Sequence, residues 1–165
     1  MDALEVKRIV VGVDGSPSSA EALEWAVAEA RLTGATIDAV YAWDPAPVEG
    51  SGLPQREMEE LREAVKKRAA RIVRELDGHS SDVRIRPRTV AGTAAQVLVD
   101  ASEKADLLVV GSRGLGGLKG MVLGSVSHHC AAHAHCPVVI VHRAPLRKRN
   151  VPARQSLRRT SAPAG

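Results

Sequence analysis

The chain has 165 residues, of which 44% are apolar, and its formal net charge is +4 at pH 7. This length predicts one domain, and the apolar content is sufficient for one hydrophobic core. No apolar run approaches the roughly 20 residues that cross a bilayer, and the first residues lack the apolar segment of a signal peptide. The two cysteines, Cys130 and Cys136, are too few for a disulfide framework. We therefore expect a cytoplasmic protein without a membrane-spanning segment.

The positive charge is concentrated at the end of the chain. Residues 144–165 contain six basic residues and no acidic one, and they are rich in Arg, Pro, Ser and Ala. A segment of this composition buries little apolar surface, so we predict a folded domain over residues 1–143 and a disordered basic tail over residues 144–165. The tail has no aromatic residue that could stack on bases. We therefore do not expect a nucleic-acid partner, and we interpret the tail as a solvated extension.

Apolar residues recur with the periods of strands and helices along the rest of the chain. In chain order, the pattern predicts strands over 7–13, 35–43, 83–90, 107–111 and 137–142, and helices over 17–33, 55–76, 94–101 and about 125–136. Ser16 is the predicted N-cap of the first helix, Gly34 is its predicted stop, and Thr93 is the predicted N-cap of the short third helix. The chain has no Phe, so we expect an aliphatic core, which suits a buried parallel sheet.

The alternation of strands and helices predicts an α/β fold. We expect a single doubly wound, five-stranded parallel sheet with helices on both faces, as in Rossmann-like and α-hydrolase-like nucleotide-binding three-layer sandwiches. We favour the strand order 3-2-1-4-5 because it brings the loops after strands one and four into one crevice. The third strand is a predicted edge strand that tolerates Pro87. Its Arg84, Arg86 and Arg88 alternate with apolar residues, which predicts one solvent-facing side.

Six glycines lie between Gly111 and Gly124, after an apolar strand and before a helix. This arrangement binds phosphate in many proteins, because the glycine backbone approaches an anion closely and the N–H groups of the helix start point toward it. Arg113 adds a cation, and Ser125 and Ser127 add hydroxyl and N–H groups. The loop is neither a P-loop nor a dinucleotide fingerprint, since it lacks the lysine of the one and the third glycine of the other. A surface loop before a capped helix is the alternative.

The glycine spacing, Gly-x2-Gly-x9-Gly-Ser, resembles the nucleotide-binding signature of the universal stress protein family. The segment 9–16, Ile-Val-Val-Gly-Val-Asp-Gly-Ser, and the segment 136–141, Cys-Pro-Val-Val-Ile-Val, are similar to that family too, and the resemblance covers about residues 5–143. It implies a member of the ATP-binding branch, in which Mg²⁺ can accompany the phosphates. The ATP-binding positions that it implies are Gly12, Val13, Asp14, Ala42, Gly111, Arg113, Gly114, Gly124, Ser125, Val126 and Ser127.

The resemblance also implies a nucleotide-dependent stress-response or signalling module and not an efficient enzyme. The sequence contains no evident catalytic lysine, no base beside the phosphates and no carboxylate set for two metal ions. A slow ATPase or a nucleotidyl transferase of similar fold is the alternative. Asp14 has two interpretations: it either contacts the ribose or a metal ion, or it stabilises the turn before the first helix.

Two further features concern partners and metals. The strand Val138, Val139, Ile140 and Val141 is a predicted sheet edge. The family resemblance implies a homodimer through this strand, with cover by the chain's own tail as the alternative, and it leaves a further protein partner unidentified. His129 and His133 have the spacing of zinc ligands on a helix. Histidine is also favoured at helix C-termini by the helix dipole, and we prefer that explanation to a metal site.

Overall fold

The computed structural model describes residues 7–45, 52–77, 82–115 and 123–142. The predicted tail and the middle of the glycine loop lie outside the described residues. Within these ranges the chain forms strands β1 (Arg8–Gly12), β2 (Thr36–Trp43), β3 (Ile85–Ala91), β4 (Leu107–Gly111) and β5 (Val138–Val141), and helices α1 (Pro17–Thr33), α2 (Gln55–Asp77), α3 (Ala94–Ser102) and α4 (Ser125–His133). The predicted elements are all present, with small shifts at their boundaries.

The strands form one parallel sheet in the order β3-β2-β1-β4-β5. β1 lies in the middle, where Val11 is opposite Ala39 of β2 on one side and Val109 of β4 on the other. This order confirms the predicted doubly wound topology, in which the direction of winding reverses between β1 and β4. The loops that follow these two strands therefore meet at the same edge of the sheet.

The edge strand β3 carries Pro87 on its outer side. Ile37 of β2 donates its N–H to the carbonyl of Arg84, and Gly92 donates its N–H to the carbonyl of Trp43. The backbone N–H and C=O groups of even-numbered residues in this strand thus point toward β2. The backbone of Pro87 points away from β2, so the N–H that proline lacks is not needed for pairing with β2. At the other end of the sheet, β5 is the second edge strand, as predicted.

Helices cover both faces of the sheet with aliphatic side chains. α1 and α2 lie on one face, over a core that includes Ile9, Leu23 and Ile37. α3 and α4 lie on the other face, over a core that includes Val10 and Leu98. Neighbouring residues of β1 point to opposite faces and are both buried, which explains the continuous apolar run of this strand. No helix in the described ranges has both the length and the apolar character that crossing a bilayer requires.

The two ends of α1 follow the predicted capping pattern. The Ser16 hydroxyl accepts a hydrogen bond from the Ser19 N–H at 3.1 Å. Gly34 adopts a left-handed conformation with φ of 73° and donates its N–H to the Ala30 carbonyl at 2.8 Å. Thr93 is the N-cap of α3, but its side chain makes no capping hydrogen bond. The start of α3 is therefore defined by its backbone and not by a threonine hydroxyl.

A buried carboxylate in β2 was not anticipated. Asp38 is 1% exposed and has arginines from both neighbouring strands around it. Arg8 donates Nε to Oδ2 at 2.9 Å, Arg86 donates Nε to Oδ1 at 2.7 Å, and Arg88 Nε lies 3.8 Å from Oδ2. The arginine side of β3 is solvent-exposed, as predicted, with Arg86 48% and Arg88 55% exposed, and in addition it faces this buried carboxylate. A carboxylate in the sheet interior requires counter-charges, and these arginines supply them.

Replacing Asp38 by alanine is expected to lower the free energy of unfolding by about 2–3 kcal/mol, because several guanidinium groups would lose their shared counter-charge. Urea unfolding of Asp38→Ala and of Asp82→Ala provides the measurement. Asp82 also pairs with an arginine, at 2.8 Å from Arg31, but both side chains are exposed, so its loss should matter much less. Equal destabilisation by the two substitutions would contradict a special role for the buried carboxylate.

Candidate functional site

A cleft opens at the carboxyl ends of β1 and β4, where the winding of the sheet reverses. The space between its walls, including the part open to solvent, is about 510 Å³. The ends of β1, β2 and β4 and the first turns of α1, α3 and α4 contribute to its walls. The crevice that the strand order predicts is therefore present, and six elements of the fold converge on it.

Most of the predicted site residues line this cleft. They are Gly12, Val13, Asp14, Ala42, Gly111, Arg113, Gly114, Val126 and Ser127. The other two, Gly124 and Ser125, are the N-cap and the first residue of α4, directly before the lining residues of that helix. The structure thus brings together residues from three distant parts of the sequence.

The same cleft has an apolar wall that was not predicted. It is formed by Val40, Ala94, Leu98 and Val110, and Ser19 of α1 is a further lining residue. Two signals could have identified part of this wall. Val40 precedes Ala42 by two residues in β2 and therefore points to the same face, and Ala94 and Leu98 lie one helical turn apart on α3. The glycine spacing identifies only the polar end of the site, whereas this apolar end has no comparable motif.

The start of α4 has free backbone donors at the polar end of the cleft. Its N-cap is Gly124, which has no side chain to accept from the first turn. Within the described part of the chain, nothing accepts a hydrogen bond from the N–H groups of Ser125, Val126 or Ser127. Val126 and Ser127 line the cleft, so these donors and the positive end of the helix dipole face it, an arrangement that suits an anion.

Hydrogen bonds hold this helix start against β4. The Ser127 hydroxyl donates to the Gly111 carbonyl at 2.6 Å, and the Gly124 N–H donates to the Ser112 carbonyl at 2.7 Å. The hydroxyl proton of Ser127 is thus used within the protein, and its backbone N–H is the donor left for a ligand. Arg113, whose side chain is exposed at the cleft, supplies a cation.

Asp14 connects the loops that follow β1 and β4. Its Oδ1 accepts a hydrogen bond from the Ser16 N–H at 2.9 Å, and its Oδ2 accepts one from the Leu115 N–H at 3.1 Å. A β-carbon at Gly114 would lie 2.7 Å from Oδ2, so only glycine permits this contact without displacement. Asp14 therefore fills the turn-stabilising role, and it also lines the cleft, where it is available to a ligand.

Gly111 allows α1 to approach the end of β4. A β-carbon at this position would lie 2.7 Å from the backbone carbon and oxygen of Ser18, a distance that real β-carbons do not reach. Gly124 differs, because the nearest atoms to its notional β-carbon are 3.5 Å away, in Arg113 and Ser112. The two glycines of the same signature thus have different structural requirements.

The histidine and cysteine residues of α4 are the ones on which the alternative of a metal site depends. In the residues that the structure covers, no group of three or more His, Cys, Asp or Glu side chains is arranged to hold an ion. The rings of His129 and His133 pack together with centroids 4.4 Å apart. Burial raises the pKa of the Cys130 thiol to about 11, so at neutral pH it is a protonated core residue and not a thiolate.

The fold and the cleft together define a Rossmann-like α/β protein with an open cleft at its switch point. The sequence profile of the universal stress protein family matches residues 5–142. The chain belongs to the universal stress protein family.

Curated relatives and solved structures agree with this assignment. The universal stress protein YxiE of Bacillus subtilis is 35% identical over 144 residues, which cover 81% of this chain and 97% of that protein. A universal stress protein of Mycolicibacterium smegmatis is 35% identical over 141 residues, which cover 81% of this chain and 47% of that protein, so the chain spans about half its length.

Two solved structures illustrate the likeness. The universal stress protein UspA from Lactobacillus plantarum has a TM-score of 0.71 at 23% identity, covering 85% of this chain and 99% of that chain, which supports the fold. A universal stress protein whose crystal structure contains cAMP is 31% identical, with a TM-score of 0.57, covering 84% of this chain and 98% of that chain.

Alanine at Gly111 is expected to destabilise the domain by about 1–3 kcal/mol, because the added methyl group must displace the backbone of α1. Alanine at Gly124 should leave the free energy of unfolding close to that of the parent, since φ of −74° and ψ of 160° suit alanine and the space is sufficient. Urea unfolding of both variants measures the difference. A Gly124→Ala variant that is as unstable as Gly111→Ala would contradict this assignment of roles.

Proposed function

We propose that the cleft binds ATP and that the protein acts as a nucleotide-dependent stress-response or signalling module in the cytoplasm. The observation that carries the proposal is the start of α4, where the first-turn N–H groups after Gly124 have no acceptor among the described residues and lie beside an open cleft. A helix start of this kind stabilises the negative charge of a phosphate group. The chain has the complete glycine signature of the family. Its first glycine, Gly111, and its last, Gly124, both lie beside this helix start.

The division of the cleft into an apolar and a polar end suits a nucleotide. The apolar wall, with Val40, Ala42 and Leu98, accommodates the flat face of an adenine ring. The α4 start and Arg113 lie at the polar end and would receive the phosphates. A relative of 31% identity was solved in complex with cAMP, which supports an adenine nucleotide as the class of ligand. ATP is our specific choice within that class.

Mg²⁺ would reach this site with the phosphates. Asp14 is the one carboxylate among the described lining residues, and its two oxygens already accept hydrogen bonds from Ser16 and Leu115. Magnesium commonly binds through one or two carboxylates together with phosphate oxygens and water. Asp14 can serve in this way, and the ion would neutralise charge between its carboxylate and the phosphates.

The described lining favours binding over rapid hydrolysis. It contains one cation, Arg113, and one carboxylate, Asp14, whose hydrogen bonds hold it to the two loops. Efficient phosphoryl transfer needs a positioned base or water-orienting group and stronger neutralisation of charge. We therefore propose a binding module, with slow hydrolysis at most. Its nucleotide state would be read by a protein partner. β5, from Val138 to Val141, is an edge strand of the described sheet and would pair with a second copy of the chain.

Freshly purified protein is expected to release intact ATP on denaturation, in near-equal amount to the protein, when the extract is analysed by mass spectrometry. A Gly124→Trp variant, whose side chain would occupy the α4 start, should release none, and Gly124→Ala serves as the control with a small substituent. ADP or AMP in place of ATP would favour the slow-ATPase alternative or another nucleotide. If nothing is released, titration with ATP decides, and the absence of measurable binding would contradict the proposal.

Asp14→Ala should weaken ATP binding by roughly tenfold without unfolding the domain, because a hydrogen bond to a charged group contributes on the order of 1.5–3 kcal/mol. Calorimetric titration measures the affinity, and urea unfolding checks the fold. Asp100→Ala is the matched control, since Asp100 is exposed on α3 and hydrogen-bonds to Gln96 outside the cleft lining. An Asp14→Ala variant with parental affinity would exclude a role for this carboxylate in the site.

A further inference from the structure

The α3 side of the sheet leaves the edge strand β3 uncovered by any described helix. The Arg86 and Arg88 side chains remain 48% and 55% exposed, and Val90 in the same row is 40% exposed. Alternate residues of a strand point to the same face, so these residues form a surface together with Arg84, which precedes β3, and Arg8 of β1. We call this surface, formed by Arg8, Arg84, Arg86, Arg88 and Val90, the arginine face.

The arginine face has more positive charge than its one carboxylate balances. Asp38 is the ion-pair partner of Arg8, Arg86 and Arg88. Across the described residues, no second acidic side chain pairs with them, and Arg84 has no ion pair. A guanidinium has five N–H donors, and Arg86 uses only Nε on Asp38. The planar ends of Arg86 and Arg88 are therefore available to another anion.

The buried carboxylate also orders this surface before any partner arrives. Asp38 holds Arg8 through Nε at 2.9 Å and Arg86 through Nε at 2.7 Å. The Arg8 side chain is held a second time, because its Nη1 donates to the Lys104 carbonyl at 3.2 Å. Long side chains usually lose conformational freedom on binding, and pre-ordered ones lose less. Keeping the Asp38 carboxylate inside the sheet costs free energy, but the same carboxylate orients the guanidinium donors of Arg8 and Arg86.

We propose that the arginine face binds an acidic segment of a protein partner through Asp or Glu carboxylates. Arginines two residues apart on a strand are about 7 Å apart, which is the spacing of alternate carboxylates on an extended segment. Val90 adds an apolar contact, and arginine with adjacent apolar surface is typical of protein interfaces. This surface lies outside the cleft, so the proposal does not depend on nucleotide binding.

A nucleic acid is the less suitable occupant of this face. Single-stranded nucleic acids bind with bases stacked on aromatic side chains. The described aromatic residues nearest in the sheet, Tyr41 and Trp43 of β2, have odd numbers and point to the α1 side, where Tyr41 packs on the first core. Trp25 belongs to α1 on that same side. The arginine face therefore offers charge without a stacking platform.

The test is the binding of a fluorescently labelled octaglutamate peptide to the full chain at low salt, followed by anisotropy. Arg84→Gln/Arg88→Gln should weaken binding about three- to tenfold, as expected for two partly exposed charge contacts. Neither residue hydrogen-bonds to Asp38, so the fold should persist, and urea unfolding verifies this. The matched control is Arg56→Gln/Arg71→Gln, which removes the same charge from exposed positions of α2 and should change the affinity less than twofold.

Three outcomes would overturn the proposal. The first is an equal loss of affinity in both double variants, which would assign the binding to net charge or to the basic tail that all variants share. The second is the absence of octaglutamate binding to the parent protein. The third is tighter binding of a labelled single-stranded oligonucleotide with the same sensitivity to Arg84→Gln/Arg88→Gln, which would identify a nucleic acid as the occupant.

Discussion

The close approach of α1 to the end of β4 is the contact on which the cleft depends. Gly111 permits it, because any side chain there would meet the backbone of Ser18. The approach brings the loop after β1 within reach of the loop after β4, and Asp14 then bridges the two through Ser16 and Leu115. The hydrogen bond from Ser127 to the Gly111 carbonyl adds α4 to the same junction. The loop after β1, the loop after β4 and the start of α4 thus form one polar end.

The charges of the protein are arranged in two regions with different physical characters. In the cleft, backbone N–H groups of α4 and one arginine provide positive potential. Within β2, the carboxylate of Asp38 is enclosed and balanced by guanidinium groups from β1 and β3. Both regions share the α3 face of the sheet, and the apolar residues between them, such as Val10 and Val40, separate the two sets of charges.

Much of the fold followed from local patterns in the sequence. Buried strands such as β1 read as continuous apolar runs, Ser16 and Gly34 marked the ends of α1, and the order of elements limited the topology. The polar end of the site could also be predicted, because the spacing of its glycines can be read directly from the sequence. The apolar wall was not, since Leu98 and Val110 look like any other core residue.

The interactions of Asp38 were inaccessible from the sequence for a related reason. Nothing in the sequence distinguishes it from an exposed aspartate, and its arginine partners lie 30 residues before it and 48 residues after it along the chain. Only the register of three strands brings these groups together. Likewise, the need for glycine at position 114 depends on Asp14 in another loop. Long-range pairing of this kind requires the three-dimensional structure.

The position of Pro87 has a consequence for how copies of this protein can aggregate. Because it lies at the outer side of β3, that edge lacks a backbone donor that an incoming strand would need. The described sheet is therefore easier to extend at β5 than at β3. Two copies that joined through β5 would leave a proline-containing strand at each end of the combined sheet, where further growth by strand addition would be disfavoured.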